Sequence, residues 1–150
     1  MTDLIVADST CLIGLERIDK IDLLPQMYSQ VIIPPQVQKE FGLSFAWLIV
    51  KNPQNIGMIN SLKLMVDDGE SEAIALAYEL GCRLVVDDKQ ARNIAKRLDI
   101  EIIGTVGILV KAKQLGLIDQ LLTILEALEN KGFYLSQSLK TEALILVGET

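Results

Sequence analysis

The strongest constraint on how this chain can fold is a repeated alternation. A short, continuous apolar run closes on an acid, a proline or a glycine, and a stretch with helical spacing follows. "LIVAD" (Leu4 to Asp8) is wholly apolar until its final acid, the pattern of a strand buried on both faces. "QVIIPP" (Gln30 to Pro35) is a second strand, stopped by two prolines. Pro35 suits the first turn of a helix, "PQVQKEFG", that Gly42 ends. "RLVVDD" predicts a third strand and "IEIIGT" a fourth. Between them "CLIGLERIDKIDLLPQMY" predicts one or two short helices. "ESEAIALAYELG" (Glu70 to Gly81) predicts a strong helix, rich in Ala, Leu and Glu and closed by Gly81. "KQARNIAKRLD" carries Ala91, Ile94, Ala95 and Leu98 on one face. "VGILVKAKQLG", "LIDQLLTILEALENKG" and "SQSLKTEALILVG" are helical as well. The stretch "FAWLIVKNPQNIGMINSLKLMVDDG" reads as a helix, a turn at Asn52-Pro53, then a helix or a strand.

Strands separated by helices require right-handed parallel crossovers. The expected architecture is therefore α/β, a three-layer helix–sheet–helix sandwich around a central parallel sheet of four to five strands. The 150 residues suit a single domain over 1–150. "MTDLIVADS" lacks the basic region of a signal peptide, and no apolar run reaches the length of a membrane span. Cys11 and Cys82 lie far apart in apolar surroundings, as expected for two free thiols in a reducing cytoplasm.

Histidine is absent. That removes Ser-His and Cys-His dyads, imidazole bases and zinc sites built on His, and leaves carboxylates as the expected workers. A formal charge of −6 argues against a uniformly basic nucleic-acid surface, though not against a local basic patch beside an acidic site.

In open α/β sheets ligands bind outside the carboxyl ends of the strands, where the strand order reverses. The residues ending the four predicted strands are Asp8, Pro34-Pro35, Asp87-Asp88 and Gly104-Thr105. Asp8 suits a helix cap or a metal ligand equally well. Asp87 and Asp88 are neighbours on an extended strand, so one faces the cleft and the other caps the next helix or meets solvent. Glu40 lies near the end of the helix after the second strand. Glu70 and Glu72 open the apolar helix "ESEAIALA", where the helix dipole favours acids. Each acid has an ordinary explanation when taken alone. Together, Asp8, Glu40, Glu72 and Asp88 would form a mutually repulsive cluster that a cation must neutralise. Oxygen-only ligands suit Mg²⁺ or Mn²⁺, which can promote displacement at phosphorus.

This ordered pattern resembles the PIN domain, a family of metal-dependent ribonucleases that includes the toxins of many bacterial toxin–antitoxin modules. "VADSTCLIGL" resembles the family's opening strand and turn, with Asp8 as first acid. "IIPPQVQKEF" resembles the second strand and helix, with Glu40 as second acid. In "ESEAIALAYELGCRLVVDDKQAR", Glu72 matches the acid at the helix start, usually Asp, and Asp88 the acid after the strand; Glu70 and Asp87 compete for those places. "GTVGILVKAKQLGLI" resembles a subgroup of PIN-like proteins that share the GExEAIALA and DDxxAR segments. The resemblance implies metal-assisted, in-line hydrolysis of RNA phosphodiesters. Asp8 and Asp88 would hold Mg²⁺ or Mn²⁺, and Glu40 and Glu72 would complete the site directly or through water. Thr10 and Thr105 would hydrogen-bond a carboxylate or a phosphate. It further implies an antitoxin partner and a homodimer or higher homo-oligomer, with no membrane association.

A nuclease must also hold a phosphate backbone. Lys89, Arg92 and Lys96 share one helix face beside Asp88, and Lys89 and Arg92 are the best-placed phosphate contacts. Lys111 and Lys113 lie on the helix after Thr105. Aromatic residues are few, and no stacking platform for single strands is visible. Two other readings compete. One is a non-enzymatic PIN-like module that binds a partner or self-associates. The other is a receiver-like or phosphatase-like domain, which would leave the Glu72 helix unexplained.

Overall fold

The computed structural model describes residues 3–149. Five parallel strands form one sheet in the order β3-β2-β1-β4-β5: β1 Leu4–Ala7, β2 Gln30–Ile33, β3 Leu48–Val50, β4 Arg83–Val85 and β5 Ile102–Ile103. The central strand explains the sheet. Ile5, Val6 and Ala7 point alternately to its two faces, yet all three are completely buried. Helices must therefore cover both faces, which makes the three layers expected from the sequence. In register, Val6 sits between Ile32 and Leu84.

Nine helices are present among the described residues, six of them between strands and three after β5: α1 Ser9–Arg17, α2 Leu23–Met27, α3 Pro35–Phe41, α4 Ile56–Leu62, α5 Asp68–Leu80, α6 Lys89–Arg97, α7 Thr105–Gln114, α8 Leu121–Asn130 and α9 Gln137–Leu146. Pro35 opens α3, and Gly42 ends it in the left-handed conformation at φ 80°. Helix α5 lies along β1 and β4 and also meets α3, α4 and α6. It begins two residues before Glu70 because Asp67 and Glu70 form a reciprocal capping box. Helices α7, α8 and α9 pack on one another, and α8 meets α1. None of these helices is long and apolar enough to cross a membrane.

The structure differs from the sequence reading after α3. The first apolar run there is the edge strand β3, where a helix was expected. Its three residues are too few for a stable helix, β-branched Ile49 and Val50 suit a strand, and the free edge of β2 supplies partners. Lys51 N–H extends the pairing by donating to the Ile33 carbonyl at 2.9 Å. The stacked rings of Phe41, Phe45 and Trp47 anchor the approach to β3.

The chain adds β2 and β3 to one side of β1, then returns to place β4 and β5 on the other. The strand order thus reverses between β1 and β4. The residues at the carboxyl ends of these two strands are Asp8 and Asp87-Asp88.

Candidate functional site at the sheet switch point

Asp8 is 3% exposed, at the mouth of the sheet. Its backbone N–H donates to the Val85 carbonyl, which fixes it beside β4. Its Oδ1 accepts the Cys11 N–H at 3.0 Å and so caps α1. Burial is the main force raising its pKa from 3.8 to about 8, and the negative charge of Asp87 adds to it. The backbone N–H groups of Cys11 and Asp87 oppose the rise, and Glu70 adds a further repulsion. Burial likewise pushes up the pKa of the Cys11 thiol, with the same two aspartates reinforcing it. Both cysteines are free.

The structure gives the capping role expected of Asp87 to Asp88. Asp88 is the cap of α6, and its Oδ2 accepts the Ala91 N–H at 2.9 Å. Asp87 instead turns back over the sheet. Its Oδ1 accepts the Thr105 N–H at 2.9 Å and its Oδ2 the Thr105 hydroxyl at 2.6 Å. Thr105 is completely buried. It therefore takes the carboxylate alternative of the expectation, positioning Asp87, and its buried hydroxyl is not open to a phosphate. A Cβ at Gly104 would fall 2.9 Å from Asp87 Oδ1 and 3.0 Å from Arg92 Nη1. Only glycine lets these groups close over the strand end.

At the start of α5 the two candidate acids bond differently. Glu72 Oε1 accepts the Gln36 N–H at 3.1 Å, so it caps α3 beneath the end of β2. Glu70 faces the other acids. Its pKa is raised to about 7, first by burial, then by Asp67, Asp88 and Glu40, against a stabilising backbone bond from Asp67. The D-x-x-E spacing of Asp67 and Glu70 was the signal that marks this helix start. Glu40 meets the rim from α3. Its Oε1 accepts the Ser9 hydroxyl at 2.8 Å. Its carboxylate lies so near α5 that a Cβ on Gly69 would sit 2.5 Å from Oε1.

The structure thus gathers Asp8, Asp87, Asp88, Glu70 and Glu40 around one rim, and Glu72 is joined to Glu40 through Gln36, whose N–H donates to Glu72 and whose side-chain amide donates to Glu40. Among the described residues none of the five is in an ion pair. The donor set is of hard oxygens alone, which fits Mg²⁺ or Mn²⁺ in kind. In arrangement it is open: among the described residues no three acids or thiols are placed to hold one ion.

The expected phosphate contacts divide. Lys89 is exposed at the first turn of α6. Arg92 is half-buried, with Nη1 donating to the Val86 carbonyl at 2.9 Å, so it ties α6 to the strand end. Lys111 lies over the Tyr28 ring, and Lys113 pairs with Glu149 at 3.3 Å; both are engaged elsewhere. Thr10 is exposed on α1 and lines an open groove of about 570 Å³ that Glu70, Asp87 and Asp88 share. The other wall of that groove holds Arg17, Lys131, Phe133 and Tyr134. Sequence reasoning missed these four, because nothing in the order of residues places the turn after α8 beside Asp87.

The family model for a PIN domain (DUF3368) matches residues 4–149. Among solved structures, a PilT N-terminus domain protein from the hyperthermophilic archaeon Sulfolobus solfataricus P2 shares the fold. It has a TM-score of 0.50 and 22% identity, over 73% of this chain and 92% of that one. No curated protein matches the chain.

Proposed function

Since the chain belongs to the PIN-domain family, whose members are generally nucleases, we propose that it is a metal-dependent endoribonuclease. The observation that carries this reading is the convergence of five unpaired carboxylates at the sheet's switch point. Asp8 and Asp87 are the residues that would hold Mg²⁺ or Mn²⁺, with Glu70, Asp88 and Glu40 completing the set. When bound, such an ion supplies Lewis acidity and charge neutralisation at the scissile phosphate. The chain's own residues do the rest. Thr105 fixes the direction of the Asp87 carboxylate, Ser9 that of Glu40, and Lys89 offers a cation for the phosphate backbone. A toxin role with an antitoxin partner, a cytoplasmic setting and homo-oligomerisation belong to the same proposal. Exposed apolar side chains on β3 and α4 (Ile49, Val50, Ile56) and on α9 (Ile145, Leu146) offer surface for such contacts.

The direct test is the purified protein on unstructured RNA with Mg²⁺ or Mn²⁺. Internal cleavage that stops on addition of EDTA is expected; cleavage indifferent to EDTA would exclude the mechanism. One observation favours a second reading, a catalytically silent PIN-like binding module: the absence, among the described residues, of three acids placed to share one ion. RNA binding without cleavage under any divalent ion is the outcome that would select it.

Two further results are expected. Asp8 and Glu70 must lose their protons to hold a cation, and their pKa values are raised to about 8 and about 7. Mn²⁺ affinity should therefore rise between roughly pH 6 and 9, and binding should release protons. Calorimetry in buffers of different ionisation heat reads both, and an affinity flat across this range would refute the assignment.

Gly69→Ala tests Glu40 without removing it. The new methyl group must push aside the mobile end of the Glu40 side chain. Helix propensity otherwise favours alanine by about 1 kcal/mol. The melting temperature should hold or rise slightly, while cleavage falls between about tenfold and a hundredfold through misplacement alone. Unchanged initial rates would remove Glu40 from the site.

A further inference from the structure

The groove beside the acids carries an inference that rests on the nuclease reading and extends it. Its far wall begins at Gly14 in the middle of α1. A Cβ there would lie 3.0 and 3.1 Å from two ring carbons of Phe133. Because Gly14 has none, the Phe133 ring lies directly against the helix backbone and pins the turn between α8 and α9. The next residue, Tyr134, is then held out into solvent, 84% exposed, over a groove it shares with Asp87 and Asp88. Two cations line the same groove: Arg17 in the last turn of α1 and Lys131 at the C-cap of α8. Neither is in an ion pair among the described residues.

This combination has a chemical meaning. An aromatic ring presented to water on an anchored turn, in one groove with two unpaired cations and with the carboxylates Asp87 and Asp88, matches a nucleotide with phosphates on either side. Stacking on an aromatic side chain accepts any base, because every base has a π-face. It requires that base to be out of a helix, since paired bases are already stacked on their neighbours. We propose that this groove is a single-strand subsite. Tyr134 stacks the base of a nucleotide next to the scissile phosphate, and Arg17 and Lys131 hold the flanking phosphates. The subsite selects unpaired RNA without selecting its sequence.

The test compares wild type, Tyr134→Ala, Tyr134→Trp and the double variant Arg17→Ala/Lys131→Ala. The probe is a short unstructured oligoribonucleotide and its duplex, with Ca²⁺ replacing Mg²⁺, read by fluorescence anisotropy. Tyr134→Ala should weaken single-strand binding by about tenfold. Tyr134→Trp should keep wild-type affinity, and neither should alter duplex binding. The double variant should lower the salt slope by about one for each cation removed. Tyr134 is exposed, so its variants should melt with wild type, and a structural role would not separate alanine from tryptophan in this way. Equal binding by Tyr134→Ala and wild type, or equal weakening on single strand and duplex, would overturn the subsite. Cleavage by wild type with no dependence on Tyr134 would do so while leaving the nuclease reading intact. Tyr134-dependent binding with no cleavage under any divalent ion would do the reverse, and a wild type that fails to bind the oligonucleotide at all would overturn both.

Discussion

Asp8→Asn is expected to lower RNA cleavage by more than about a hundredfold and, in the same sample without metal, to raise the melting temperature by several degrees at neutral pH. The two effects have one cause. Asp8 sits at the mouth of the sheet, 3% exposed and repelled by Asp87, and its pKa is raised from 3.8 to about 8. Below the unfolded value the protonated group is neutral in both states. As pH climbs through the window from 3.8 to about 8, the unfolded chain ionises freely while the folded chain resists. Stability therefore falls across that window and levels off above it. Asparagine removes the penalty and still accepts the Cys11 N–H, because it caps helices as well as aspartate. The variant should thus show a flatter profile of melting temperature against pH, keeping only the smaller slope from Glu70. A divalent ion should stabilise wild type and not the variant. A variant that cleaves normally, or a wild-type profile that rises toward pH 8, would contradict the assignment.

The second large effect separates the adjacent aspartates. Asp87→Asn is expected to cost about as much activity as Asp8→Asn, whereas Asp88→Asn should cost less than about tenfold. Asparagine at 88 preserves the α6 cap, so that variant removes a charge and leaves the helix intact. Thr105→Val is the companion. It deletes the hydroxyl bonded to Asp87 Oδ2 while keeping the shape of the buried side chain. The cost is about 1–3 kcal/mol of stability, and serine should restore both stability and rate. Initial rates and melting temperatures measured together decide the case. If Asp88→Asn proves the more damaging of the two, the site is centred on α6 and not on Asp87.

The legibility of the fold and of the site differ for one physical reason. Strands β1, β2 and β4 announce themselves because their apolar residues run on without a break and are buried on both faces. The same property hides their parity. Leu84, Val85 and Val86 are all buried, so no alternation shows whether Asp87 or Asp88 faces the cleft. At α5 the ambiguity was of helix start. The apolar run suggested Glu70 as the first residue, while the capping box of Asp67 and Glu70 moves the start back to Asp68. Thr105 was legible as a strand-end hydroxyl, but its burial was not. Edge strand β3 was ambiguous because its conformation is decided by the open side of β2 and not by its own three residues. The wall of Phe133 and Tyr134 was invisible for a similar reason: only tertiary packing of α8 on α1 brings it to the site.

The placement of β1 at the middle of the sheet also has a consequence for timing. Asp8 is made early, but the strand that brings Asp87 beside it comes much later, and the hydroxyl that orients Asp87 later still. A nascent chain translated at about 5–20 residues per second therefore carries its first acid for several seconds before the partners emerge. Until β4 emerges, the carboxylates at the ends of β1 and β4 are not side by side. On the nuclease reading, that order of assembly spares the message and the machinery producing it until β4 and Thr105 have been made.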